Sequence, residues 1–492
     1  MSGARMTAGR TGDPRPGRAP GAGRDLVAAG VALVLVMVAA VVGGVLGLLG
    51  HPVHAAAAPL FAHWLPHAGP GTLPAVAVTV LVCRYGPAAA DRLPWRRLLA
   101  VSYLTAVAWT LSLALVDGWQ RGVAGRLTTR PEYLTEVPGV TSVPAMLRGF
   151  TGRILDHQPD SWTTHVAGHP PGALLVFAGL DRLGLSGGAW AGLLCIAIGA
   201  LTAVAVPATV RSLGSEQAGR AVVPFVALFP GAIWIGVSAD GLFAGVTATG
   251  IALLAHSVTG PHSVSPPHPR PASLARDRAG VSARSAFATY AGGLLLGCGA
   301  YLSYGLVLMV AVGAAVLLCA PGGRRAASWT AAGAAWWAAA GVATVVAAVT
   351  AAGFDWLTGD HLVSPRYYQG LAAHRPYAYW VWADLAALAV AAGPAAAVIV
   401  RRAIGAGKDL ALRTPTVVAG RGPALLTLAG CAAILAADLS GFSKAEVERI
   451  WLPFAVWLLA GAGLVPASTR RRWLVAGAVV ALLVNHLLLT VW

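Results

Sequence analysis

The chain has 492 residues, of which 57% are hydrophobic and only 11% charged, with a formal net charge of +16. That balance excludes an ordinary soluble domain and points to the membrane. Five cysteines without any CxxC or paired spacing argue against a disulfide framework or a cysteine metal cluster.

Residues 1–26 are rich in Arg, Gly and Pro and read as a disordered cytoplasmic tail. Since roughly 20 apolar residues cross a bilayer as a helix, about 13 spans follow. They lie near 27–49, 73–90, 98–116, 188–210, 221–237, 241–256, 286–300, 305–320, 329–352, 378–400, 423–438, 451–466 and 473–491. The expected fold is an all-α polytopic membrane protein. Its parts are two N-terminal helices in 27–97, a core over 98–400 and C-terminal helices over 401–492. With the N-terminus inside, the cytoplasmic segments collect about 25 Lys/Arg against about 6 Asp/Glu, and the outer ones about 10 against about 13. The positive charge thus reports topology, and no nucleic-acid partner is needed to explain it. Only Lys408 and Lys444 are lysines, an arginine bias that suggests a bacterial plasma-membrane protein from a high-GC genome.

Five outer regions remain to carry chemistry: 51–72, 117–187, 238–240, 353–377 and 439–450. The inner segment 257–284, rich in Pro, Ser and His, reads as a cytoplasmic linker. Within the long outer loop, Pro170-Pro171 begins an apolar stretch, 171–182, that is too short to span and fits a helix along the interface.

Asp117 stands where the uncharged span 98–116 ends. It reads either as a general base for an acceptor hydroxyl or as the polar end of a span, beside the interfacial anchor Trp119. Asp156, His157, Asp160, Trp162, His165 and His169 form an acid and imidazole cluster suited to lining an acceptor cavity, or simply to loop packing. His165 and His169 are four apart, as two metal ligands on one helix face are, although Gly168 and the prolines weaken that helix. Asp240 offers a second outer carboxylate or a helix cap. Arg366 and Arg375 run against the inward bias of basic residues and match phosphate oxygens, or face headgroups within an aromatic belt. In 439–450, Ser443 and Glu446 have the spacing of a capping box, and Lys444 and Glu448 that of an i,i+4 pair. Arg449 lies close to the hydrocarbon boundary, where a charge needs a partner; a lipid-linked phosphate is the preferred one, with a headgroup or a protein carboxylate as the alternatives.

The order of these elements resembles the GT-C superfamily of membrane glycosyltransferases, among them protein O-mannosyltransferases and lipid A aminoarabinose transferases. Asp117 matches the family's aspartate in the first large outer loop, and His169-Pro170-Pro171-Gly172 matches its His-Pro-Pro-like motif before the juxtamembrane helices. FPGAIWIGVSADGLFA, 229–244, looks like an outer turn of that family. The glycine after Asp117 departs from the acidic pair that many relatives carry. The resemblance implies an inverting transfer from a polyprenyl-phosphate sugar to a lipid, glycan or protein acceptor outside the cytoplasm. In it Asp117 is the base, and Arg366, Arg375, Lys444 and Arg449 hold the donor phosphate. No cofactor is fixed by the sequence, and a divalent metal stays open, with His165 and His169 as its candidate ligands.

Two other functions fit a polytopic chain. A transporter or lipid flippase expects ionisable residues within spans, of which Asp384 is the main candidate, and interrupted helices. An envelope polysaccharide polymerase or ligase also uses outer loops and lipid-phosphate substrates.

Overall fold

A computed structural model describes residues 21–236, 238–259, 283–320, 324–411 and 420–491. The expected tail before residue 21 and most of the 257–284 linker lie outside the described residues. The protein is an all-α polytopic membrane protein. Among the described residues, eight helices are long and apolar enough to cross a bilayer, or up to nine if one bent pair counts as a single span. The first, α1 (Ala22–Leu48), starts earlier than the sequence suggests, because Asp25 is buried against Arg401 (2.8 Å) and Arg402. α2 (Thr72–Arg92) ends at Leu93, which Pro94 holds extended, and α3 (Trp95–Val116) begins directly after it.

Five expected spans depart from the simple pattern. The 378–400 stretch breaks between the helices Tyr377–Ala392 and Pro394–Ala411, which meet at 107°. Gly393 has φ +78°, and Pro394 cannot donate to the preceding turn, so the helix cannot run through. The 221–237 stretch divides into Glu216–Ala227 and Ala232–Ile235 around Pro230-Gly231. Two others, 305–320 and 451–466, are shorter apolar helices, Tyr304–Leu318 and Leu452–Leu464. The last is the helix Ala467–Leu487, which carries Arg470, Arg471 and Arg472 in its first turns.

Small residues set how closely the helices approach. Gly293 lies against the Ala338 carbonyl and Gly341 against the Tyr290 carbonyl, so the helices Ala283–Leu302 and Arg324–Ala351 pack backbone to backbone. The core is filled by Trp109, Trp234, Phe243, Trp451 and Trp457, all essentially inaccessible. Strands β1 (Ala62–Trp64) and β2 (Leu488–Thr490) pair antiparallel with Ala62 opposite Thr490.

Polar contacts sort the loops into two ends. Asp25 with Arg401 and Arg402, Arg220 with the Ala90 and Leu93 carbonyls, and Ser285 with the Ser257 carbonyl join segments that the charge rule places inside. The five outer regions meet one another at the opposite end, as the next subsection shows. Asp25→Ala removes the only carboxylate that pairs with Arg401 and Arg402 among the described residues. It is expected to lower stability by about 2–4 kcal/mol, read as a fall in Tm, and an unchanged Tm would contradict the clamp.

Candidate active site

Asp117 sits at the C-terminus of α3, which stops because Gly118 takes φ +79°. The chain crowds this end. A Cβ at Gly69 would meet the Val116 carbonyl, at Gly71 the Ser112 carbonyl and at Gly122 the Ala114 carbonyl. Glycine therefore lets residues 66–72 and 120–128 close on the carboxylate from two sides. Oδ1 of Asp117 lies 2.6 Å from Nε2 of His67, and Oδ2 accepts from Arg126 at 2.7 Å. Arg121 stands 3.8 Å from Oδ1. Nδ1 of His67 faces the Leu65 carbonyl at 2.6 Å. A carbonyl cannot donate, so the Nδ1 proton points to Leu65. Arg126 also donates to the Thr490 carbonyl on β2.

A second cluster surrounds Arg449. Its guanidinium donates to Asp240 at 2.7 Å and to Glu446 at 2.9 Å, and faces Nε2 of His165 at 3.2 Å. Arginine only donates, so His165 accepts at Nε2, and its Nδ1 proton points to Glu132 at 3.0 Å. Burial disfavours the Arg449 cation, but Asp240, Glu446 and Glu132 outweigh it and raise its pKa above the ordinary arginine value. Burial likewise works against the Glu446 carboxylate, and Arg449 with Arg375 still holds it below the usual range. Arg375 donates to Glu446 and to the Lys444 carbonyl, both at 2.8 Å. His169, with Nδ1 on the His165 carbonyl at 2.8 Å, is pushed by burial down to about 4 and is neutral at pH 7.

The backbone of 444–446 is unusual. Ala445 and Glu446 both have positive φ, 66° and 65°. Asp384 fixes the turn by accepting from the Ala445 N–H at 3.1 Å, and the Tyr367 hydroxyl accepts from the Lys444 N–H at 2.9 Å. Lys444 is buried with its ammonium 4.9 Å from the Tyr368 ring and 5.8 Å from that of Tyr367. No carboxylate pairs with it among the described residues. Burial, helped by Arg375, lowers its pKa.

The two clusters meet across β1 and β2. Thr490, which takes the Arg126 bond, pairs with Ala62, and the neighbouring Phe61 N–H donates to Glu448 at 2.8 Å. All five outer regions therefore converge at one end of the helices. The structure gathers Asp240, His165, His169, Arg375, Lys444 and Arg449, with Asp117 across the ribbon. It leaves others at the edge. Arg366 pairs with Asp156 at 2.9 Å, tying the long loop to the 353–377 region, and Gln369 accepts from the Asp156 N–H. His157 is exposed in a left-handed turn, and Asp160 is exposed near Arg153.

Several expectations change. Trp162 does not face a cavity: it is buried between Arg153 and Phe150 and donates to the Phe150 carbonyl. The capping box does not form, since Ser443 turns to the Ala437 carbonyl and Glu446 to the two arginines. Lys444 and Glu448 do not pair. Arg449 takes protein carboxylates where a lipid phosphate was expected. His67, Arg126, Glu132, Tyr133, Glu446 and Glu448 complete the site and were not singled out as site residues from sequence. Their only signal there is that each polar side chain lies in a segment assigned outward.

The donor set does not fit a metal ion. His165 has its acceptor nitrogen on Arg449, Asp117 faces three basic side chains, and no group of three or more His, Cys, Asp or Glu suited to an ion occurs among the described residues. Protein cations neutralise the carboxylates instead.

Glu448 supplies a pH test. One oxygen takes the Phe61 N–H, and the other has no hydrogen-bond partner among the described residues. Burial pushes its carboxyl up from 4.5 to about 7. The folded protein binds this proton more tightly than the unfolded chain, so the stabilisation is full below about 4.5 and disappears as pH rises through about 7. Its size is on the order of 3 kcal/mol. Glu448→Gln is expected to flatten the fall in Tm between pH 5 and 8, and an unaltered profile would contradict the assignment.

No protein-family model and no curated protein matches this sequence. Solved structures similar to it include an oligosaccharyltransferase and ArnT. One is the oligosaccharyltransferase of Archaeoglobus fulgidus tethered to an acceptor peptide, at 11% identity and TM-score 0.43, covering 82% of this chain and 56% of that one. The same enzyme with Zn and sulfate gives 14% and 0.39, with 79% and 51% covered. ArnT from Cupriavidus metallidurans gives 15% and 0.32, with 78% and 77% covered. This chain thus spans about half the length of the oligosaccharyltransferase chains it matches. With every TM-score below 0.5 the likeness is loose, and the functional reading rests on the geometry of the site.

Proposed function

We propose that this protein transfers a sugar from a polyprenyl-phosphate donor to an acceptor hydroxyl at the extracytoplasmic end of its helices, in a bacterial plasma membrane. The observation that carries the reading is Lys444. Its side chain is largely covered, its ammonium lies against tyrosine rings with no carboxylate of its own among the described residues, and it stands beside Arg375 in the end of the molecule where the loop carboxylates gather. An ammonium beside a guanidinium and without a counter-ion attracts an anion, and a phosphate arriving from the membrane would supply one.

In this reading the acceptor oxygen attacks the anomeric carbon as the bond from that carbon to the phosphate oxygen breaks. The phosphate leaves with the electron pair, and Lys444 with Arg375 stabilises the growing charge. The acceptor hydroxyl takes the place of His67 on Oδ1 of Asp117 and passes its proton there, while Arg126 holds Oδ2. Arg449, satisfied by Asp240 and Glu446, positions the 444–449 segment and does not itself meet the donor. Arg366 has the same kind of role for the long loop, through Asp156.

A second reading has its own support. The span broken at Gly393-Pro394 carries Asp384, which is buried, as is Asp438 on the helix Arg421–Leu439. Interrupted helices with buried carboxylates suit a lipid flippase. Donor movement between leaflets without transfer would favour it.

Binding separates the roles proposed for the site. In nanodiscs, Lys444→Ala is expected to weaken polyprenyl-phosphate binding at least tenfold, about 1.4 kcal/mol, while Asp117→Asn binds as the unaltered protein does. Equal binding by Lys444→Ala would remove the phosphate assignment.

A further inference from the structure

A cavity of about 250 Å³ lies beside the site and is separate from the Lys444 cluster. Its apolar wall is made by Leu134, Val137, Phe177 and Leu185, and its rim by Thr128, Asp181 and Ser186. The back wall is shared with the site. The Phe177 ring stacks 5.6 Å from that of Tyr133, which in turn lies 5.8 Å from His169 and 6.0 Å from His165. Thr128 stands two residues from Arg126, the partner of Asp117. Gly188 fixes that distance, because a Cβ there would strike the Ala124 carbonyl and the Thr128 methyl.

The lining selects its guest. It holds one carboxylate, Asp181, and no Lys or Arg, so it disfavours a phosphate. Asp181 and Ser186 are exposed on the rim, where they can meet hydroxyl groups, and the half-buried Leu134 and Leu185 offer apolar surface beside them. At roughly 30 Å³ per water, the volume equals about eight waters, on the scale of one monosaccharide ring. A sugar ring has the matching faces, apolar C–H on one side and hydroxyls around the edge. We infer that this cavity is the acceptor subsite and that it takes an uncharged glycan ring. This deepens the transferase reading and rests on it, and it moves the acceptor from the expected 156–172 cluster and Asp240 to the 128–138 and 177–187 segments.

The test is saturation-transfer NMR on the full chain in nanodiscs, with methyl α-mannopyranoside, methyl β-galactopyranoside and methyl α-arabinofuranoside as probes and hexanol as the apolar control. At least one glycoside is expected to receive saturation from the unaltered protein. Leu185→Trp, which fills the cavity, and Ser186→Trp, on its exposed rim and harmless to folding if the first is not, should each cut the signal at least fivefold. Lys444→Ala, placed at the donor phosphate, should retain it, which keeps failure of the donor assignment distinct from failure of this one. Equal signals from both folded Trp variants, no saturation of any glycoside, or saturation of hexanol alone would each overturn the proposal.

Discussion

A guanidinium buried at the membrane boundary has to be neutralised, and Arg449 meets that constraint with groups from three segments. Asp240 comes from the start of a spanning helix, His165 and through it Glu132 from the long loop, and Glu446 from its own segment. Glu446 then draws in Arg375. Each contact removes a charge that would otherwise be stranded, so the loops are held together by electrostatic necessity as much as by packing. Breaking any one leaves its partner unpaired in a dry environment. The left-handed turn at Ala445 and Glu446 is held in place because this network, with Asp384 and Tyr367, fixes both of its sides.

The same network explains a division of labour among the basic residues. Arg449, Arg366 and Arg126 are engaged with Asp240, Asp156 and Asp117 and act as struts. Lys444 is held against aromatic rings, with no carboxylate paired to it among the described residues. Strands β1 and β2, although only three residues each, carry the connection between Asp117 and the Arg449 cluster. Asp117, through Arg126, and the 446–449 segment, through Glu448, are thereby joined to one short ribbon.

Much of this was legible in the sequence, and the boundary is physical. Class and alternation of loops are local properties: apolar runs of span length and the sign of nearby charges carry them, and the contacts sort the loops into the two ends those charges imply. The short helix after Pro170-Pro171 was equally local and forms as Gly172–Arg182. The break at Gly393-Pro394 had a visible signal, a Gly-Pro pair, that a hydropathy window averages away. Partners were not legible. His67 meets Asp117 across 50 residues and Arg449 meets Asp240 across 209, and nothing local marks either pair. The 443–446 capping motif was misleading for the complementary reason. Two arginines offered Glu446 more than a helix N–H could, and tertiary electrostatics overrode the local pattern.

The account stands or falls on Asp117 serving a transfer reaction in a chain that also binds lipid phosphate. The most direct measurement incubates the purified protein with radiolabelled polyprenyl-phosphate mannose, glucose and arabinose together with envelope extract, beside the Asp117→Asn variant. The account predicts label transferred to an envelope acceptor by the unaltered protein, and none by the variant although it still binds the donor. Equal transfer by both proteins, or donor carried across the bilayer with no label transferred, would contradict it.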